Sequence, residues 1–159
     1  MNALTIWQPW ASLIMLGFKD YEFRPWPAPR SIVGQRIVIH AGARKAREDE
    51  IMEIITGDSE SCWPCRPGSH RFDEMEEFLQ RVRRGQEKLP VSVGLGTVLL
   101  GAPKRATELT PGDDRVREDM WGWPVSEPVV FAEPIVARGA QGFWNWVPEP
   151  DFFRSDAHA

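Results

Sequence analysis

Two hydrophobic periods alternate along the chain. Residues 3–7, Ala-Leu-Thr-Ile-Trp, make a short apolar run with β-branched members and predict a first strand. Pro9 suits the first turn of a helix, where its missing N–H costs nothing. Trp10, Leu13, Ile14 and Gly17 recur at helical spacing, so residues 9–16 read as a short helix with Gly17 as its C-terminal cap. Residues 20–24 return to alternation. Tyr21 and Phe23 take one face of a strand, and Asp20, Glu22 and Arg24 the other. Residues 25–30 form a stiff proline loop, and residues 35–41 read as a buried strand.

The middle of the chain reads as helical. Residues 45–55 carry Ile51, Ile54 and Ile55 on one side. A loop over 57–69 follows, then Phe72, Met75, Leu79 and Val82 mark an amphipathic helix over 71–84. Its acids come early (Asp73, Glu74, Glu76, Glu77) and its arginines late (Arg81, Arg83, Arg84), the order that the helix dipole favours. Strand character resumes after Lys88. Residues 91–100 hold Gly94 and Gly96, with Gly101 just beyond, a density that fits bends at barrel corners. Residues 128–137 read as a strand pair broken by Pro134, and residues 142–146 as a last short strand. Strands, then helices, then strands predict an α+β fold, a small mixed β-barrel with a short N-terminal helix. One domain over 1–147 is expected, with a helical insertion over about 45–88 and a tail over 148–159. A length of 159 residues suffices for one real core.

Composition narrows the function. Eight Trp and fourteen Pro point to short elements, firm loops, and rings that suit either core packing or stacking, with core packing expected for most. No apolar run is long enough for a membrane span, and no leader-like segment opens the chain, so a cytoplasmic protein with reduced thiols and no membrane partner is expected. The net charge of −4 argues against a dedicated high-affinity nucleic-acid binder. The distribution modifies that. Arg24, Arg30, Arg36, Arg44, Lys45 and Arg47 fall in a stretch without a single acid, which leaves 13 basic against 23 acidic residues elsewhere. An anionic ligand near the N-terminal third would explain the asymmetry, as would a solvated face.

Residues 17–24, Gly-Phe-Lys-Asp-Tyr-Glu-Phe-Arg, have the form GxKxxExR directly after a Gln-Pro-Trp helix start. This arrangement resembles the signature of the ASCH family, the activating-signal-cointegrator homology domains of the PUA-like superfamily. GQRIVIHAG, VSVGLGTVLLG and EPIVARGAQGFWNW resemble its barrel strands and its aromatic end. The resemblance implies a PUA-like barrel that binds RNA or a nucleotide, with a cleft between the first helix and the barrel. It makes Gln8, Trp10, Ser12, Lys19, Glu22 and Arg24 cleft candidates.

The residues themselves support a pocket. Glu22 and Arg24 share a strand face, and Lys19 sits at the helix-to-strand turn. Together they offer donors and an acceptor for a base edge or a phosphate. The alternative is a salt bridge that ties helix to barrel, with Arg24 the most structural of the three. Trp7 and Trp26 flank the motif and are candidates to stack on a base. His40 ends a strand inside the basic stretch, as a ligand group or as a satisfied structural residue.

Two other functions compete with single-stranded RNA or modified-nucleobase binding. Some ASCH proteins resemble amidohydrolases that deacylate a modified cytidine with a Lys, a Thr three positions on, and a Glu. Lys19 matches the first, but Glu22 stands where the hydroxyl nucleophile is expected. Ribonuclease chemistry would need only Lys19 and Glu22 as cation and base. A protein-interaction module is the third reading. No cofactor is expected, apart from the structural zinc that Cys62, Cys65 and His70 would bind if a fourth ligand joined them. Two ordinary thiols, or a redox pair, are the other readings of Cys62 and Cys65.

Overall fold

A strongly curled sheet with helices packed on it builds the molecule, an α+β half-barrel. The computed structural model describes residues 1–58, 71–109, 111 and 117–147. The strands are β1 (Asn2–Ile6), β2 (Tyr21–Arg24), β3 (Arg36–Ala41), β4 (Val93–Leu100), β5 (Lys104–Arg105), β6 (Trp121–Val136) and β7 (Phe143–Asn145). The helices are α1 (Trp10–Met15), α2 (Glu48–Thr56), α3 (Phe72–Arg83) and α4 (Ala106–Leu109). Sheet order is β2-β6-β4-β3-β1-β7, with β5 paired to β6. Among the described strands only β1 and β3 run parallel, with Leu4 opposite Ile39 and Thr5 opposite His40.

Alternation sorts the strand residues onto two faces. Leu4, Ile6, Ile37, Ile39 and Ala41 join Val98, Leu100 and Trp123 in the barrel core. Thr5 and His40 fall on the opposite face. Helix α1 divides its residues in the same way. Ile14 and Met15 enter the barrel core, while Leu13 joins Phe18, Ile51, Ile54, Met75 and Leu79 in a second cluster against α2 and α3. Trp10 packs against both clusters. Gly17, at φ +74, ends the helix in the left-handed conformation that glycine adopts without strain.

The expected strand pair over 128–137 is instead the second half of one 16-residue strand, β6. Two of its three prolines are tolerated because the β4–β6 ladder skips them. Register shifts at Gly94/Gly96 and Thr97/Leu99 leave Pro134 and Pro128 between paired residues, where no N–H is needed. Gly96 is required there, since an added Cβ would stand 2.3 Å from the Val129 carbonyl oxygen. The short β5 and α4 had no periodic signal. Helix α2 begins at Glu48 rather than at residue 45. Among the described tryptophans Trp123 is fully buried in the barrel core, Trp10 and Trp121 pack against it half-buried, and Trp7 and Trp26 are exposed. No helix of the described residues is long and apolar enough to cross a membrane.

Candidate functional site

A cleft of about 850 Å³ opens where the end of β1, the start of α1, β2 and the segment after β6 meet. Such a volume lies at the upper end of the range for small-molecule pockets. Lys19, Glu22 and Arg24 line it together. Glu22 lies between the two cations. Its Oε2 accepts from Lys19 Nζ at 2.9 Å and its Oε1 from Arg24 Nε at 2.9 Å. Lys19 is 1% exposed and also donates to the Tyr21 carbonyl, so two of its three N–H donors have partners. Arg24 reaches the Thr5 carbonyl through its second amino group at 3.4 Å. The network ties β2 to β1 and presents charge to the cleft from the same atoms, so it is both strut and lining.

Trp10 brings the feature that most invites a ligand. Its ring lines the cleft, yet its indole N–H is buried without a hydrogen-bond partner. An unmatched buried donor costs about 1–3 kcal/mol, which a ligand recovers only where a small shift of the ring brings the covered N–H to its acceptor.

Thr5 and His40 line the cleft from the face opposite the core. His40 Nε2 lies 2.9 Å from the Ala137 carbonyl, which can only accept, so this nitrogen carries the proton. Its Nδ1 then accepts from the Thr5 hydroxyl at 3.2 Å, and Trp144 Nε1 donates to the same hydroxyl oxygen at 3.0 Å. Burial pushes the imidazole pKa below its ordinary value, against a smaller opposing effect of the Ala137 carbonyl. Gly139 closes over this chain. An added Cβ there would stand 2.5 Å from the His40 ring and 2.9 Å from Thr5 Oγ1.

Residues 4–93 match the ASCH domain family. The chain belongs to that family. The matched stretch contains Lys19, Glu22, Arg24 and most other cleft residues. Among solved structures, a serine-to-alanine mutant of ZmASCH from Zymomonas mobilis is similar, at 15% identity over 93% of this chain and 88% of that one, with a TM-score of 0.47. No curated protein matches.

The cleft of this ASCH domain gathers Trp7, Trp10, Lys19, Glu22, Arg24 and His40 from the sequence-derived candidates. Gln8, Ser12 and Trp26 are not part of its lining. Gln8 is wholly buried, and its side chain accepts from the Ser12 N–H at 3.1 Å and donates to the Pro90 carbonyl at 2.8 Å. It caps the first turn of α1, a task the preceding position must take because Pro9 at the cap has no acceptor side chain. Trp26 is half exposed away from the cleft, and its carbonyl receives the indole N–H of Trp123 at 2.9 Å. Cys62, Cys65 and His70 lie outside the described residues, among which no metal-binding group of three occurs.

Every residue of the segment 138–142 lines the cleft, although no periodic pattern in the sequence marks it. The signal that finds it is the Gly-Ala-Gln-Gly run, which favours close backbone approach. The basic stretch also looks different in three dimensions. Arg24, Arg36, Arg44 and Arg47 each pair with an acid: Glu22, Glu127, Glu50 and Asp49. All four acids lie outside the stretch, so the local surplus of charge is largely neutralised.

Proposed function

We propose that this ASCH domain binds RNA or a nucleotide by taking a base into the cleft, as single-stranded RNA or a modified nucleobase. The observation that carries the reading is the unpartnered indole N–H of Trp10, on a ring that lines the cleft beside Lys19, Glu22 and Arg24. A base offers what that lining lacks: a ring to fill an aromatic-walled space, an acceptor for Trp10, and donors for the remaining lone pairs of Glu22. The exposed Arg138 on the rim is placed for a phosphate. Family membership supports RNA as the ligand class.

The test is calorimetric titration at low salt with nucleosides, 5′-mononucleotides and short single-stranded RNAs. Trp10→Phe removes the N–H and keeps an aromatic ring. Binding weakened about fivefold or more, with thermal stability changed little, supports the reading. Absence of binding by every ligand in the wild-type protein ends it.

Hydrolysis of a nucleoside or RNA is the second reading, favoured by the direct contact of Lys19 with Glu22 inside the cleft. Incubation with acetylated cytidine and with single-stranded RNA decides it. Turnover lost in Lys19→Met supports hydrolysis, and no turnover of either substrate removes it.

A further inference from the structure

Trp7 is built as a stacking platform at the mouth of the cleft. It is 56% exposed, although it stands at the junction of β1 and α1 where a large apolar ring would ordinarily be covered. One face is occupied. The guanidinium of Arg44 lies 4.0 Å from the ring centroid. Arg44 is itself fixed by two hydrogen bonds to Glu50, at 2.9 and 3.0 Å, a bidentate clamp. Glu50 in turn accepts from the Arg47 N–H in the capping box that starts α2. Beside the ring, an added Cβ on Gly42 would stand 3.0 Å from Trp7 Cδ1, so a larger residue there would push the indole by a few tenths of an ångström. A helix start, a clamped arginine and a glycine thus hold an exposed indole in one orientation. A ring held for core packing would be covered, and an incidental surface ring would not be braced from behind.

Trp7 and Trp10 both line the cleft, yet they differ in kind. Trp10 is packed against both hydrophobic clusters and offers a buried N–H, whereas Trp7 offers an exposed face. The cleft, at about 850 Å³, has room for more than one nucleoside. We infer that the site takes two consecutive bases of a single strand, one in the cleft beside Trp10 and its neighbour stacked on the open face of Trp7. The ligand is then an oligonucleotide rather than a free nucleoside. This inference rests on the base-binding reading above.

The experiment compares the four ribonucleoside 5′-monophosphates with the corresponding homodinucleotides by calorimetry on the full chain. Stacking of one base is worth about 5- to 150-fold in affinity. Wild-type protein is expected to bind at least one dinucleotide tighter than its mononucleotide by that factor. Trp7→Leu is expected to abolish the gain, so that the dinucleotide binds no tighter than the mononucleotide, and Trp7→Phe to keep part of it. Equal wild-type affinity for mono- and dinucleotide overturns the two-base site. So does a Trp7→Leu variant that loses equally on both ligands, or on neither. If wild type binds no mononucleotide and no dinucleotide, it is the base-binding reading that fails. Because Trp7 is more than half exposed, its replacement spares the core, and circular dichroism verifies that the variants are folded.

Discussion

The Thr5 hydroxyl donates to His40 Nδ1 across the β1–β3 pair, 3.2 Å apart, while the other ring nitrogen donates to Ala137. This fixes a neutral imidazole in one tautomer, and it makes His40 a pH-sensitive element of the cleft wall. Burial lowers its folded-state pKa beneath an unfolded value of about 6.5. As pH falls, the unfolded chain therefore takes up the proton first. The stability contributed by this group is complete above pH ~6.5 and is lost as pH falls from there through the lowered folded value. NMR of the imidazole nitrogens checks this directly, because the chain has three histidines. The expected result is a His40 pKa under 6.5 with the proton on Nε2. A proton on Nδ1 in the neutral form would contradict the hydrogen-bond chain.

Glu22 balances Lys19 and Arg24 in a site where Lys19 is almost wholly covered. Glu22→Leu leaves a buried ammonium uncompensated and is expected to cost about 3–5 kcal/mol. Lys19→Met with Glu22→Leu is expected to cost less than the sum of the single changes, since the second removes the stranded charge that the first would face. Urea denaturation of the four proteins in this cycle gives the coupling. Strict additivity would mean that the two groups do not interact.

Gly139→Ala places a methyl group against the His40 ring and Thr5 Oγ1. Neither neighbour is the loose end of a flexible chain, because both are held by hydrogen bonds. The expected loss is about 1–3 kcal/mol, the range for overpacking. Thermal unfolding measures it, and the His40 resonances should shift in the same variant. An alanine variant as stable as wild type, with unshifted His40 signals, would show that the segment 138–142 does not rest on this pair.

The N-terminal third was legible because its signals are local. Helical spacing over 9–16 and alternation over 20–24 each gave an element within a residue or two of its observed bounds. The proline-rich second half was less so. Pro134 reads as a break until the ladder partner is known, and only the irregular pairing with Gly94 and Gly96 shows how one strand passes through it. The site divides in the same way. Lys19, Glu22 and Arg24 meet because the turn into β2 and the strand itself bring them together within six residues. Gln8, Ser12 and Trp26 are as near in sequence, but the helix start consumes the first two and the proline loop carries the third away. Residues 138–142 reach the cleft from more than a hundred positions off, a closure no local pattern encodes.

The pairing of the basic stretch bears on how any RNA would be held. Four of its six cations already face acids, so few are available to displace counterions from phosphates. Single-stranded binding loses affinity with salt at a log–log slope of about 0.7 per phosphate neutralised. A ligand held by stacking and base-edge contacts, with Arg138 as its main phosphate contact, should therefore show a slope of only about 1–2 between low and moderate salt. Arg138→Ser should reduce that slope by about 0.7 and weaken all sequences alike. Titrations of a short single-stranded RNA at several salt concentrations, with both proteins, measure these values. A wild-type slope of about 5 or more would instead mean that the ion pairs of Arg36, Arg44 and Arg47 open on binding and that the arginines grip the backbone. The Trp7 platform would then be lost as well, since it depends on Arg44 staying clamped to Glu50.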